Sequence, residues 1–157
     1  MGHHVSGLVA TPRALAAVAG ARGLGVPIPL CCGLAFLPVD EENIGGLAAG
    51  DPEAAPPGFE HLTPAVLAAL AEPSVGHALA YIETDHFGGV GGQGAVVCAG
   101  GRVAMPPAWG DGPRGPVSRA LAHLGVRVVP PHPDEFDTVG LGAFRSNEAR
   151  RRAHDPR

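Results

Sequence analysis

The chain has 157 residues, of which 45% are hydrophobic, and its formal net charge is −4. This length fits a single domain, and the composition is not that of a disordered chain. All 11 basic residues are arginine, which excludes a Schiff-base lysine and a P-loop lysine. The acidic balance argues against nucleic-acid binding, which needs a positive face.

In the N-terminal half, two Thr-Pro pairs mark helix starts, because a hydroxyl caps free N–H groups and proline suits the first helical turn. Pro27 and Pro29 disfavour regular structure between the first helix and the next strand. In chain order, the pattern first predicts a strand at 5–10, a helix from Thr11-Pro12 to near Gly23 and a strand at 32–39. A brief helix from Asp40 toward Leu47, an exposed loop at 50–58 and a helix from Thr63-Pro64 to Pro73 are predicted to follow.

The centre of the chain predicts an antiparallel sheet. Three short runs rich in β-forming residues lie at 78–84, 95–98 and 102–105. Gly100-Gly101 is a natural two-residue hairpin turn between the last two runs. The segment DHFGGVGGQG at 85–94 is expected to be a glycine-rich connection, and 106–115 a second loop that carries the single tryptophan.

The C-terminal third predicts one more helix, at 117–124 with Gly125 as its stop, and a last strand at 126–129. A polar segment at 145–154 has helical character. We therefore expect a single α+β domain over 1–146, with a mainly antiparallel sheet of five or six short strands and about three helices packed on it. Residues 147–157 would form a polar, flexible C-terminal tail.

The glycine-rich segment is the leading candidate site. Gly89–Gly94 matches G-x-G-x-x-G, but a strand and a hairpin turn follow it, whereas a dinucleotide site requires a helix N-terminus there. Glycines still allow the backbone to approach a ligand or partner, although a wide hairpin loop would need them too. The candidate binding residues of this segment are Glu83, Asp85, His86, Phe87, Gly89, Gly91 and Gln93.

Three of these residues are also candidates for catalysis. Glu83 and Asp85 would point to the same face of a strand, with His86 at the turn, and such a group could perform acid–base chemistry or hold a metal. The alternative is a solvent-facing strand edge whose charges prevent aggregation. A second acidic group, Asp134 and Glu135 beside Phe136, would either bind a partner or be neutralised by the nearby arginines.

The remaining reactive side chains form no catalytic template. Cys31, Cys32 and Cys98 are expected to be reduced and largely buried, since their number is odd and their surroundings are apolar. The histidines show no metal-ligand spacing, so neither a metal nor a cofactor is expected. A secretory segment and an apolar run of about eighteen residues are both missing from the sequence, which predicts a cytoplasmic protein that does not bind membranes.

Four segments, taken in order, resemble a family of small, largely uncharacterised bacterial proteins. They are HHVSGLVA, GLAFLPVD, YIETDHFGGVGGQGAVV and DEFDTVGLGAFR, and the most specific part is an ET(D/E)(H/Y)FGGxGxQG-like motif at 83–94. The resemblance spans most of 1–146 and implies an association with toxin–immunity systems. Relatives are expected to carry an acidic residue and tyrosine where this chain has Asp85 and His86. The resemblance supplies no catalytic residues.

These observations lead to two functional hypotheses. The first is a small soluble binding protein, of the immunity type, that inhibits a basic or toxin-like protein partner through an acidic surface. The alternative is a small enzyme or small-molecule-binding protein that uses the region between Glu83 and Gln93. A structural or regulatory interaction role is also open, as is the oligomeric state.

Overall fold

A computed structural model describes residues 2–87, 90–111 and 114–154. Within these ranges the chain forms six strands and five α-helices, together with single 3-10 turns at Ile44–Gly46, Pro52–Ala54 and Leu141–Ala143. The strands are β1 (His3–Ala10), β2 (Ile28–Pro29), β3 (Ala35–Pro38), β4 (Leu79–Phe87), β5 (Val90–Ala99) and β6 (Arg102–Gly110). The helices are α1 (Pro12–Arg22), α2 (Pro64–Ala69), α3 (Pro116–His123), α4 (Glu135–Val139) and α5 (Asn147–Ala153).

The predicted caps form as local chemistry requires. The Thr11 hydroxyl accepts a hydrogen bond from the Ala14 N–H at 3.3 Å, and the Thr63 hydroxyl accepts one from Val66 at 3.2 Å. Helix α1 ends at Gly23, whose φ of 66° is the left-handed conformation that glycine adopts without a steric cost. The two Thr-Pro pairs therefore predicted helix starts correctly.

All strand pairings are antiparallel, in the order β2-β3-β1-β4-β5-β6. The predicted α+β class is confirmed, and so is the sheet expected from 78–84, 95–98 and 102–105. The turn between β5 and β6 has positive φ at both Gly100 and Gly101, as a two-residue hairpin requires.

The glycine-rich segment is mainly strand, and the expectation of a long connection was wrong. Strands β4 and β5 continue through it in register, so that His86 pairs with Gly91 and Phe87 with Val90. The strand accommodates glycine at 92 and 94 because the Trp109 side chain of β6 occupies the space that a side chain at Gly92 or Gly94 would fill. Residues 88–89, between the two strands, lie outside the described residues.

Three other local predictions need correction. Strand β6 extends to Gly110 through the expected loop at 106–115, because this edge strand tolerates Pro106 and Pro107 beside an irregular register. Residues 126–129 form no strand, since the Val129 N–H bonds instead to the Thr138 hydroxyl at 3.2 Å. The strand expected at 32–39 is shorter, and it pairs with β2 despite the prolines.

Helices cover both faces of the sheet, and each face has its own core. Helices α1 and α2 pack on one face against β-strand residues that include Leu8, Leu37 and Tyr81. Helices α3 and α4 pack on the other face against Phe36 and Ile82, among others. Because neighbouring residues of a strand point to opposite faces, each strand contributes alternate side chains to both cores.

The segment 147–157, which the sequence predicted to be a flexible tail, contains helix α5. This helix packs against β1. Asn147 and Arg150 are buried, and Arg150 donates to the carbonyl of Leu141 at 2.9 Å. Across the described ranges, the chain has no helix of the length and apolar character that crossing a membrane requires.

Candidate functional site

A polar cavity opens where the start of β1, the loop after β3, the segment 60–61 and the start of α5 meet. Its volume is about 650 Å³. Its lining includes one arginine, Arg151, and the five carboxylates Asp40, Glu41, Glu42, Glu60 and Glu148. We call this cavity the acidic cleft. Its excess of negative charge favours a cationic ligand over an anionic one.

Two histidines lie among carboxylates at the cleft. The β1–β4 register places His4 opposite Asp85, and the His4 Nδ1 atom lies 3.8 Å from Asp85 Oδ1. The other ring nitrogen of His4 lies 3.6 Å from Glu60 Oε2, while His61 Nε2 lies 3.8 Å from Glu60 Oε1. These separations are too long for strong hydrogen bonds and become ion pairs when the imidazoles are protonated. We call these four residues the His4 cluster.

Glu83 lies behind the His4 cluster and holds part of it in place. Its buried carboxylate accepts hydrogen bonds from the N–H of Glu60 at 2.7 Å and the N–H of His61 at 2.9 Å. It also accepts one from the Tyr81 hydroxyl at 2.7 Å. Burial, together with the charge of Glu83, raises the pKa of Tyr81 well above its ordinary value, which keeps the phenol a donor.

Asp40 joins the C-terminal helix to the cleft. Its Oδ2 atom accepts hydrogen bonds from Arg151 Nη1 at 2.7 Å and from Asn147 Nδ2 at 3.2 Å. Burial alone would raise the pKa of Asp40, but these hydrogen bonds and the charge of Arg151 outweigh it and lower the pKa below its ordinary value. The Asn147 amide also bonds the backbone N–H and carbonyl of Ser6, so this wall of the cleft is fixed to β1.

The structure divides the predicted site residues between the two faces of the sheet. Glu83 and Asp85 share the face of the acidic cleft, with Glu83 buried and Asp85 exposed. His86 lies opposite His3 in the β1–β4 register, on the other face. That second face also carries Gln93, whose Oε1 accepts the Val117 N–H at 2.8 Å at the start of α3. The four polar residues therefore do not converge.

Among the other predicted residues of this segment, Gly91 is exposed with a φ of 136°. Phe87 belongs to β4 and pairs with Val90, but its side chain lies outside what the structure describes. Gly89 also lies outside the described residues. A side chain at Gly91 would meet the Asp85 carbonyl oxygen, so a glycine is required there for close strand approach.

The second predicted acidic group has structural partners. Asp134 caps α4, its Oδ1 accepting the Asp137 N–H at 2.9 Å. Glu135 is buried and forms an ion pair of 2.9 Å with Arg114. The arginine cluster at 150–152 contacts other groups: Arg151 pairs with Asp40 and Arg152 with Glu148.

The cysteines depart from the expectation that all three are buried. Cys98 is buried in β5, where burial raises the pKa of its thiol. Cys31 and Cys32 are exposed instead, because they lie in a turn before β3 and not inside the strand. All three are free thiols.

Sequence reasoning missed most of the His4 cluster. Glu60 and His61 follow a proline-rich loop and carry no motif, and His4 is paired with Asp85 only by a register between distant strands. The one available signal was the alternation of β4, which places Glu83 and Asp85 on a common face. In the described ranges, no group of three or more His, Cys, Asp or Glu residues is arranged to hold a metal ion.

Comparisons of the chain with protein-family models, with curated proteins and with solved structures found no match.

Proposed function

We propose that this protein is a binding protein whose acidic cleft receives a cationic group of a protein partner. The observation that carries the proposal is the composition of the cleft, in which five carboxylates accompany one arginine. Such a concentration of one charge in a concave surface attracts opposite charge and raises association rates.

Arginines neutralise two of these carboxylates, since Arg151 pairs with Asp40 at 2.7 Å and Arg152 pairs with Glu148. The excess negative charge of the cleft therefore comes from Glu41, Glu42 and Glu60. Among the described side chains, no cationic group lies within ion-pair distance of Glu41 or Glu42, and both residues are exposed. An incoming guanidinium suits such a surface well, since its planar fork can bind carboxylates through two parallel hydrogen bonds.

The most specific form of this proposal is an immunity-type inhibitor of a basic bacterial toxin. The net charge of −4 and the resemblance of the central motif to proteins of toxin–immunity systems support it. Charge complementarity of this kind gives fast association and selects against unsuitable partners. The chain would then act by covering its partner.

The test compares two double charge reversals. Glu41→Lys with Glu42→Lys changes the cleft, whereas Glu53→Lys with Glu72→Lys changes the net charge equally at exposed positions outside it. Each tagged variant is used to purify partners from the native host, and the affinity of any partner is then measured at low and high salt. We expect the cleft variant to bind at least about tenfold more weakly than the control. Equal binding by both variants would contradict the proposal.

A second candidate, a small-molecule-binding protein or enzyme, is favoured by the position of His4 between Glu60 and Asp85. An imidazole between two carboxylates is a suitable acid–base group. A thermal-shift screen of small cationic compounds tests this, because a ligand that binds only the folded state raises the melting temperature. This candidate would be favoured if a compound raises the melting temperature of the wild type and of the Glu53→Lys, Glu72→Lys control but not that of His4→Gln.

A further inference from the structure

A short turn between β2 and β3 carries two adjacent thiols at the surface. Cys31 and Cys32 are both exposed, and their sulfur atoms lie 3.1 Å apart. Adjacent side chains of an extended strand point in opposite directions, so this proximity is a property of the turn.

The backbone holds the turn firmly. The N–H of Leu30 donates to the carbonyl of Leu34 at 2.9 Å, which closes the turn at its base. The N–H of Cys31 donates to the carbonyl of Val139 at 3.1 Å, which ties the turn to the end of α4. The two thiols are therefore presented on an anchored loop.

Cys32 also has an uncommon backbone conformation. Its φ is 68°, in the left-handed region, and among the described non-glycine residues only Arg114 shares a positive φ. Side chains with a Cβ atom pay a steric cost in this region, and such residues concentrate at functional sites. The strain is located at the residue that brings the second sulfur beside the first.

We propose that Cys31 and Cys32 form a vicinal dithiol site that binds a soft, thiophilic group of the trivalent arsenical class. Thiolate sulfur is the soft donor of proteins and selects soft acceptors. In the reaction with an arsenoxide, two arsenic–sulfur bonds form, and the arsenic–oxygen bond breaks. The oxygen leaves as water with the two thiol protons, and no atom changes oxidation state.

The separation of the sulfurs suits a bridging atom. A soft atom that bonds each sulfur at about 2.3 Å, the length of a Zn–S bond, would span the 3.1 Å gap with an angle of about 85°. That angle is close to the right angle favoured by pyramidal trivalent arsenic. Because both sulfurs are already in place, the second bond forms without a large cost in chain ordering.

The dithiol site is separate from the acidic cleft. The turn precedes β3, while the cleft residues Asp40, Glu41 and Glu42 follow its other end. The remaining thiol, Cys98, is buried and stands apart in β5. The proposal therefore does not depend on the function proposed above.

The experiment uses phenylarsine oxide on the reduced full chain. Native mass spectrometry should show a single arsenical per chain, and thiol titration should show two thiols protected. The adduct should resist an excess of a monothiol and be removed by a dithiol such as 2,3-dimercaptopropanol. Two-point attachment should raise the monothiol concentration needed for release by about a hundredfold over a one-point adduct.

Matched variants separate the site from the remaining thiol. Cys31→Ser and Cys32→Ser should each release the arsenical at low monothiol concentration, whereas Cys98→Ala should retain it like the wild type. If Cys98→Ala does not fold, the double variant Cys31→Ser, Cys32→Ser, in which Cys98 is intact, shows whether Cys98 alone can hold the arsenical. Retention of arsenic by this double variant would overturn the proposal. Equal release from the wild type and Cys31→Ser would overturn it as well.

Discussion

Glu83 and Asp85 lie two residues apart on the same face of β4, yet their surroundings differ completely. Glu83 is buried and accepts hydrogen bonds from two backbone N–H groups and from Tyr81. Asp85 has 71% of its side chain exposed and lies 3.8 Å from His4. The difference arises from the covering segments, because residues 59–61 lie over Glu83 and leave Asp85 open. Strand alternation thus determines which face a carboxylate occupies, but distant segments determine its role.

The largest effect should follow from removing the buried carboxylate. Glu83→Ala leaves the Tyr81 hydroxyl and two backbone N–H groups without their acceptor, and we expect a loss of about 3 kcal/mol in the free energy of unfolding. Urea denaturation measures the loss. Asp85→Ala is the matched control, with an expected change below about 0.5 kcal/mol. Similar losses in both variants would remove the distinction between the two carboxylates.

The packing beside Glu83 should also be sensitive to added volume. A Cβ atom at Gly94 would lie 2.5 Å from Trp109 Cε3 and 2.6 Å from Phe59 Cζ, so Gly94→Val should cost about 1–3 kcal/mol. Gly20→Ala, in α1, meets no atom within 4 Å and should stabilise the protein by about 0.5–1 kcal/mol. Thermal denaturation of both variants measures the contrast. An unchanged stability of Gly94→Val would mean that the rings of Phe59 and Trp109 can move aside.

Acidification should destabilise the fold through two partly buried groups, His3 and Asp40. Burial lowers the pKa of His3 from its ordinary value of 6.5, so the unfolded chain binds a proton first and stability falls as the pH drops below that value. The lowered pKa of Asp40 acts in the same direction. Its contribution to the free energy of unfolding is lost as the pH falls below the ordinary pKa of 3.8. We expect a melting temperature that falls in two stages on acidification.

Two variants assign those stages, with melting temperatures recorded across the pH range. His3→Gln should flatten the upper stage and leave the lower one, while Asp40→Asn should do the reverse. If the upper stage persists unchanged in His3→Gln, another group is responsible for it.

The smallest effect on stability should come from reversing the exposed charge. Asp85→Arg should change the free energy of unfolding by less than about 0.5 kcal/mol, because the side chain is exposed. Under the proposed binding function it should nevertheless weaken partner binding by about 2 kcal/mol or more. Melting temperature and partner affinity are measured side by side. If Asp85→Arg melts several degrees lower, Asp85 has a structural role. If the variant binds the partner as tightly as the wild type, the binding site lies elsewhere.

The sequence predicted what local chemistry determines. The caps at Thr11 and Thr63 and the Gly100-Gly101 turn depend on neighbouring residues, and all formed as expected. The continuation of β4 and β5 through the glycines was not predictable in this way, because Trp109 of another strand fills the space beside them.

The candidate site shows the same limit. The shared face of Glu83 and Asp85 followed from strand alternation, but His4 joins Asp85 through a pairing of residues 81 positions apart. Likewise, the exposure of Cys31 and Cys32 depends on where β3 begins, and an apolar run does not reveal that boundary.

The bond between Asn147 and Ser6 has a consequence for how the chain folds during synthesis. These residues are separated by 141 positions, and the Asn147 amide satisfies both the N–H and the carbonyl of Ser6. The first strand therefore leaves the ribosome long before its last hydrogen-bonding partner exists. Contacts of such long range slow folding and leave polar backbone groups open to other pairings. The nascent chain can complete its central strand only after the C-terminal helix has emerged.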